Sequence, residues 1–300
     1  MMIFKAVGGL GNQLFIVAAA MAASKYWGDE FQIDMRGAAK GIDRGGPHLV
    51  ASQLTSLLIN GMQFRNSTHE KTTFKILDTL ASIENRFSGS VGLEAKFGLS
   101  LTSNTTGFNQ TIFEKKKLYN RGYFQSYRYL RYLRDQKVGF SLQLTNPSQK
   151  FLDLTTQLDS EDSTVVHLRR GDYLKHSESF GILSPSYYQQ SLEKLNTIGR
   201  LNKVLVFSDD EASITPITRT GFWVDYRVQV VSTKDLDPAE TLMLMAQSKR
   251  FVIANSSFSW WAAALNEKND VVYPEKWFKS APTPRDLFFP HWIAQESSWE

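Results

Sequence analysis

Four short runs in the sequence carry residue types that could hold an anion or steady a developing charge, and each follows an apolar, strand-like stretch. The first is Gly8-Gly9-Leu10-Gly11-Asn12-Gln13, set between such a stretch and an Ala-rich segment. Glycines let the backbone turn tightly and approach a ligand, and the free N–H groups of a helix start favour an anion. Asp34, at the end of the next strand-like run, stands about where a ribose-binding acid would in a dinucleotide fold. The third glycine of that fingerprint is replaced by Leu14. A tight turn with no ligand accounts for the first run equally well.

The second run is His167-Leu168-Arg169-Arg170-Gly171-Asp172-Tyr173. Strand alternation puts His167 and Arg169 on one side and Leu168 and Arg170 on the other. Two Arg at the C-terminal end of a strand can hold a diphosphate through planar forked donors. The bland alternative is a salt-bridged strand edge in which Asp172 neutralises Arg170. The third run, Phe207-Ser208-Asp209-Asp210, offers a carboxylate that could accept the N1–H and N2–H edge of guanine, or a helix N-cap from Ser208 or Asp209. In the fourth, Asn255-Ser256-Ser257-Phe258-Ser259-Trp260-Trp261, Ser256 and Ser257 could donate to phosphate and Phe258 could stack on a base. Capping by Ser is the alternative there, and Trp260 and Trp261 read as core. Asp235-Leu236-Asp237 has the spacing of a metal-binding Asp-x-Asp, but Asp237 precedes Pro238 and has Glu240 three residues on, the pattern of a capped helix start. No metal site is expected.

The elements that position these runs follow from periodicity. Residues 3–7, a helix over 13–27 and a strand over 31–34 form a β-loop-α-β start. Helical segments are expected near 50–58 and 74–87, then a strand over 118–124 and a helix from about 126. From 164 the alternation becomes regular: strands at 164–168, 204–207, 228–231, 251–254 and 271–273, with helices at 185–195, 238–249 and from about 258. The expected fold class is α/β, with one α/β domain over 1–158, a second over 159–274, and an irregular tail over 275–300 packed across the body.

A chain of 300 residues with 42% hydrophobic and 21% charged residues can bury a large core, which excludes disorder and fibrous repeats. It has no cysteine, so disulfides and thiolate metal sites are excluded and a reducing compartment is expected. The most apolar stretch, 14–23, is too short to span a bilayer and lacks the basic flank of a secretory signal. A cytoplasmic protein is expected. The net charge of +4 suggests an anionic ligand or an acidic lipid surface rather than nucleic acid. The densest basic stripe, Arg128, Arg131, Arg134 and Lys137, is interleaved with tyrosines; a solvated helix face explains it, and peripheral contact with an acidic membrane is the alternative.

The order of the motifs is more specific than any one of them. GGLGNQ at the start, RGYFQS over 121–126, HLRRGDYL in the middle, FSDD some forty residues later and NSSFSWWAA near the end together resemble glycosyltransferase family 11, the bacterial α-1,2-fucosyltransferases. With its α-1,6- and protein O-fucosyltransferase relatives, that resemblance implies a GT-B-like fold of two Rossmann-like domains facing a cleft. It also implies GDP-fucose as donor, a galactose-terminated glycan as acceptor, inversion at the fucose anomeric carbon, and no metal or other cofactor. It assigns Arg169 to the diphosphate leaving group, His167 and Arg170 to the same nucleotide pocket, and Asp209 or its neighbour Asp210 to guanine. Ser256, Ser257 and Phe258 fall to the phosphate and base, and Asn12, with Gly9, Gly11 and Gln13, to the acceptor side. Asp172 is the reserve candidate for holding the acceptor hydroxyl, and the resemblance identifies no general base. An NAD-dependent oxidoreductase, resting on the first turn and Asp34, and a non-catalytic nucleotide- or sugar-binding module are the competing readings.

Overall fold

The computed structural model describes residues 1–35, 53–64, 75–76, 79, 106–158, 163–266 and 268–300, with the side chains of Asp172 and Ser213 excepted. The helix expected over 74–87 lies almost wholly outside these residues, as does the acidic run 159–162. The chain divides into two compact units, one of Met1–Thr145 with Pro284–Phe288 and one of Asn146–Thr283 with Phe289–Glu300.

In the first unit β1 (Met2–Lys5) lies between β2 (Phe31–Asp34) and β5 (Tyr119–Asn120), parallel to both. Helix α1 (Leu10–Trp27) makes the crossover from β1 to β2. It is buried around most of its circumference, which its run of Ala, Val, Ile, Leu and Phe permits. It stops at Gly28, whose left-handed φ of 61° lets its N–H reach the Ser24 carbonyl. A second, antiparallel sheet holds β3 (Leu57–Ile59) between β4 (Met62–Gln63) and β6 (Leu142–Leu144). Helix α2 (Thr111–Glu114) and the amphipathic helix α3 (Arg128–Asp135), which buries Tyr129, Leu130 and Leu133, complete the described part of this unit. Among the described residues no helix is long and apolar enough to cross a membrane.

The second unit is a six-stranded parallel sheet. Its order is β12 (Ile293–Gln295), β11 (Asp270–Pro274), β10 (Arg250–Val252), β7 (Ser163–Leu168), β8 (Lys203–Ser208) and β9 (Val228–Val230). β7 is buried along its whole length, as a central strand of a parallel sheet must be. The helices are α4 (Gln149–Gln157), α5 (Ser177–Phe180), α6 (Pro185–Ile198), α7 (Glu211–Ile217), α8 (Pro238–Met245) and α9 (Ser257–Ala264). The expected α/β class is therefore what the structure has, with a parallel sheet in each unit.

Three expectations change in detail. Residues 50–58 were expected to be helical; in the described part, a 3-10 turn at Gln53–Ser56 runs straight into β3. The reason is the pair Asn60-Gly61, with φ of 49° and 78°, which closes a two-residue hairpin between β3 and β4. The division between units falls at 145/146 rather than 158/159, because α4 is tied to the second unit: Ser148 N donates to Glu240 Oε1 at 2.5 Å and Gln247 Nε2 donates to Thr155 Oγ1 at 3.2 Å. The tail over 275–300 is not wholly irregular, since β12 joins the sheet edge and residues 284–288 group with the first unit. Trp260, fully buried as expected, stacks on Phe289 at 5.8 Å and holds part of that tail in place.

Candidate functional site

Strand order brings three of the four runs together. β7 leads to β8 and β9 on one side, after which the chain crosses to place β10 on the other, so the order reverses between β7 and β10. Loops leaving the C-terminal ends of strands diverge at such a reversal and leave a crevice in which α/β sheets bind ligands. The residues at these ends are the HLRRGDY run after β7, the SDD run after β8 and the NSSF run after β10.

The loop after β7 is organised by Asp209. Its Oδ1 accepts from the backbone N–H groups of Arg170 at 3.0 Å and Gly171 at 3.3 Å, and its Oδ2 lies 3.0 Å from Arg169 Nη1. A Cβ on Gly171 would fall on this carboxylate, so glycine is what lets the loop close over it. Burial works to raise the Asp209 carboxyl, but the Arg169 guanidinium, the two backbone donors and His167 together hold it below the ordinary range. The Arg169 guanidinium also lies 5.2 Å from the Tyr173 ring centroid.

Tyr173 joins the two sides of the crevice, its hydroxyl donating to the Asn255 carbonyl at 2.9 Å. Its ring stacks on Phe180 at 4.9 Å. Asn255 Nδ2 donates to the carbonyls of Phe180 and Gly181, at 2.9 Å and 3.3 Å. His167 is 4% exposed with its ring centroid 6.1 Å from that of Phe258, and its Nδ1 is buried without a hydrogen-bond partner. Burial, aided by Arg169 and opposed by Asp209, lowers its pKa to about 4, so the imidazole is neutral near pH 7. An unpaired polar atom is costly to bury, and a crevice ligand is the group that would satisfy it.

Ser256 caps α9, its Oγ accepting from Phe258 N at 3.4 Å, while Ser257 and Phe258 are half-buried. Asp210 N donates to Ser208 Oγ at 3.1 Å. Arg170 does not join this group: its Nη1 donates to Glu300 Oε1 at 2.6 Å. The side chain of Asp172 lies outside the described residues, and its backbone opens a 3-10 turn, Asp172–His176.

In the first unit three glutamines hold the glycine turn. Gly8 has φ of 71°, and a Cβ there would strike the Asn12 side chain. Asn12 Oδ1 accepts from Gln125 Nε2 at 2.8 Å, which joins the GGLGNQ and RGYFQS runs. Gln13 is 1% exposed and donates through Nε2 to the Gly8 carbonyl at 2.8 Å, so it braces the turn from within. Gly11 is buried in α1, Gly9 precedes the helix with no side-chain cap, and Leu10 N donates to Gln53 Oε1 at 2.6 Å. Asp34, the acid an NAD-binding site would need, is fully buried and accepts from the Tyr119 hydroxyl at 2.7 Å. The Asp-x-Asp at 235–237 is a helix start: Asp237 Oδ1 accepts from Ala239 N at 2.7 Å and Glu240 Oε2 accepts from Asp237 N at 2.9 Å.

Tyr173, Asn255 and Gln125 are the contributors that residue chemistry alone did not single out. Each stands within or beside a motif, and only the strand order shows what it ties together.

The model of glycosyl transferase family 11 matches residues 101–296 of the chain. An α-1,2-colitosyltransferase of Escherichia coli is 28% identical over 285 residues, covering 91% of this chain and 90% of that protein. The O-antigen biosynthesis glycosyltransferase WbnK, also of Escherichia coli, is 34% identical over 128 residues, 40% of each chain. Among solved structures, a family 9 glycosyl transferase from Veillonella parvula covers 100% of this chain and 88% of its own at 10% identity and a TM-score of 0.47. Arabidopsis thaliana FUT1 in complex with GDP covers 91% of this chain and 69% of its own at 13% identity and a TM-score of 0.46. The chain belongs to glycosyl transferase family 11 and is a glycosyltransferase.

Proposed function

We propose that the protein transfers L-fucose from GDP-β-L-fucose to the 2-hydroxyl of a terminal galactose, with inversion and without a metal. The observation that carries this reading is the crevice between the β7 and β10 loops, where Arg169, His167 and the start of α9 converge in a chain of this family. As the sugar departs, negative charge grows on the β-phosphate oxygen. A preplaced guanidinium and the N–H groups at the α9 start stabilise that charge, and such preorganised electrostatics is commonly the largest contribution to catalysis. A cation bridging the phosphates is then unnecessary.

Ser256, Ser257 and Phe258 border the phosphate and base, and the neutral His167 offers its unpaired Nδ1 to the same ligand. Asp209 has both carboxylate oxygens engaged in holding the loop, and Asp210 stands next to it; base recognition is assigned to this pair. Asn12, held by Gln125, is assigned to the acceptor hydroxyl.

A second donor is favoured by the relative that spans most of the chain, which is named for transfer of colitose. Colitose is fucose without its 3-hydroxyl, so the leaving-group chemistry is the same. Purified protein offered GDP-fucose and GDP-colitose with a β-galactoside, scored by GDP release and product linkage, decides between them. Turnover of neither sinks the reading.

The same reading puts the acceptor on a lipid carrier at an acidic membrane surface. Arg131, Arg134 and Lys137 are exposed on and just beyond α3, whereas Arg128 pairs with Asp286 at 3.2 Å and lies over Phe108 at 4.2 Å. A basic face of this kind is attracted to anionic headgroups by about 1 kcal/mol per residue. Co-sedimentation with phosphatidylglycerol vesicles that is unchanged when these three residues become Gln would remove the membrane contact.

A further inference from the structure

Arg169 and Arg170 are neighbours just beyond the end of β7, but their guanidiniums have different partners, Asp209 for Arg169 and Glu300 for Arg170. Leu168 packs in one core cluster with Tyr188 and Leu183. Arg170 Nη1 donates to Glu300 Oε1 at 2.6 Å, with the two side chains 17% and 33% exposed. Specific bonds bring Glu300 to this place. Ser184 N donates to the Ser298 carbonyl at 2.9 Å and Glu300 N to the Ile182 carbonyl at 2.8 Å, flanking an antiparallel bridge between Leu183 and Trp299. The Ser184 and Ser298 hydroxyls are 2.7 Å apart. The Trp299 ring occupies the space a Cβ on Gly181 would need, and Gly181 has a φ of 76°. Residues 180 and 181 also receive the two hydrogen bonds from Asn255, so the 298–300 segment is tied to the β7 loop by Arg170 and to the β10 loop through Gly181.

We infer that Glu300 is a positioning residue for the donor loop, holding the Arg170 guanidinium away from Asp209 so that the Arg169 guanidinium alone answers to the Asp209 carboxylate and to the departing diphosphate. This rests on the donor site proposed above. Arg170 is pinned at two points, its N–H by Asp209 Oδ1 and its guanidinium by Glu300, and the turn that carries Arg169 is thereby fixed at the next residue. The charges share one neighbourhood: burial first and then Glu300 push the Tyr188 phenol up, and Arg170 and Asp209 act on the same phenol. Without the Glu300 carboxylate, Arg170 competes with Arg169 for Asp209.

The test uses the full chain with Glu300→Gln, Glu300→Asp, Arg170→Gln and the Glu300→Gln/Arg170→Gln double variant. Measured are kcat and KM for GDP-fucose, GDP affinity, and hydrogen exchange of residues 167–173 without nucleotide. Glu300→Gln is expected to lower kcat about tenfold, the scale of one charge-assisted hydrogen bond. GDP affinity is expected to change less than about threefold, because Arg169 keeps its charge, and loop exchange to quicken. Glu300→Asp retains most of kcat, and Glu300→Gln has no further effect in the Arg170→Gln background. Tighter GDP binding by Glu300→Gln would overturn the inference, since Arg170 would then be a donor ligand that Glu300 masks; unchanged kcat with unchanged exchange would overturn it as well. A parent protein that binds no GDP would refute the donor site, and the exchange comparison would still decide the pinning.

Discussion

Asp209→Asn separates the two roles open to that residue. Asn is nearly isosteric, and its Oδ1 can still accept from Arg170 N and Gly171 N, now at 3.0 Å and 3.3 Å. The loss is at the other end, where an amide N–H replaces the carboxylate oxygen that lies 3.0 Å from Arg169 Nη1 and sets donor against donor. Breaking a fully buried ion pair costs about 3–5 kcal/mol. Here the Arg169 side chain is 17% exposed against 8% for Asp209, so the guanidinium can turn toward water, and about 2 kcal/mol is the appropriate scale. That lowers the thermal midpoint by about 4–8 °C for a unit of this size. With Arg169 no longer held, turnover falls by about ten- to a hundredfold. GDP and IDP affinities then assign the base contact, because IDP lacks the 2-amino group of guanine. If Asp209 only holds the loop, the GDP preference over IDP is the same in parent and variant; if it reads the base, the preference collapses. An unchanged midpoint together with unchanged turnover would refute the claim that Asp209 organises Arg169.

Other outcomes follow from the same geometry. Arg169→Lys keeps the charge but loses the planar fork, so turnover should drop about ten- to a hundredfold while GDP binding largely survives, as kinetics and calorimetry would show. Normal turnover would remove Arg169 from the leaving-group site. His167 is buried neutral with its pKa lowered from 6.5 to about 4, so between those values the unfolded state binds more protons. Stability should be flat above about pH 6.5 and fall as pH drops toward 4; denaturant titrations should show this limb flattened in His167→Gln. Asn12→Ala removes the partner of Gln125 in the first unit and should lower turnover with little change in GDP affinity. A large loss of GDP binding would contradict its acceptor-side assignment.

Much of the second unit was legible because its signals are local. The strand at 164–168 is legible from its β-branched start, Thr164-Val165-Val166, and β7 is Ser163–Leu168; the cap at Asp237 and Glu240 forms as its spacing implied. What could not be read is pairing order. Nothing near Asp209 says that its carboxylate meets the N–H of a residue 39 positions earlier. Likewise nothing near Arg170 announces its pairing with Glu300, 130 residues on. β12 was hidden because Ile293–Gln295 is three residues long in a stretch rich in Pro and aromatics. The β3–β4 hairpin did carry a local signal, Asn60-Gly61, outweighed by the helix-like spacing of the apolar residues before it. Gln13 looked like a ligand residue by its place in the motif, whereas burial makes it a brace of its own turn.

The central claim, donor cleavage at the β7–β10 crevice by residues of the chain without a metal, is tested most directly by one product analysis. The protein is incubated with GDP-fucose and a β-galactoside in excess EDTA, and the product linkage is read by NMR. The account predicts an α-fucosyl residue on the galactose 2-hydroxyl, formed at the same rate with and without chelator. A β-linked product, or activity lost in EDTA and restored by Mn²⁺, would contradict it.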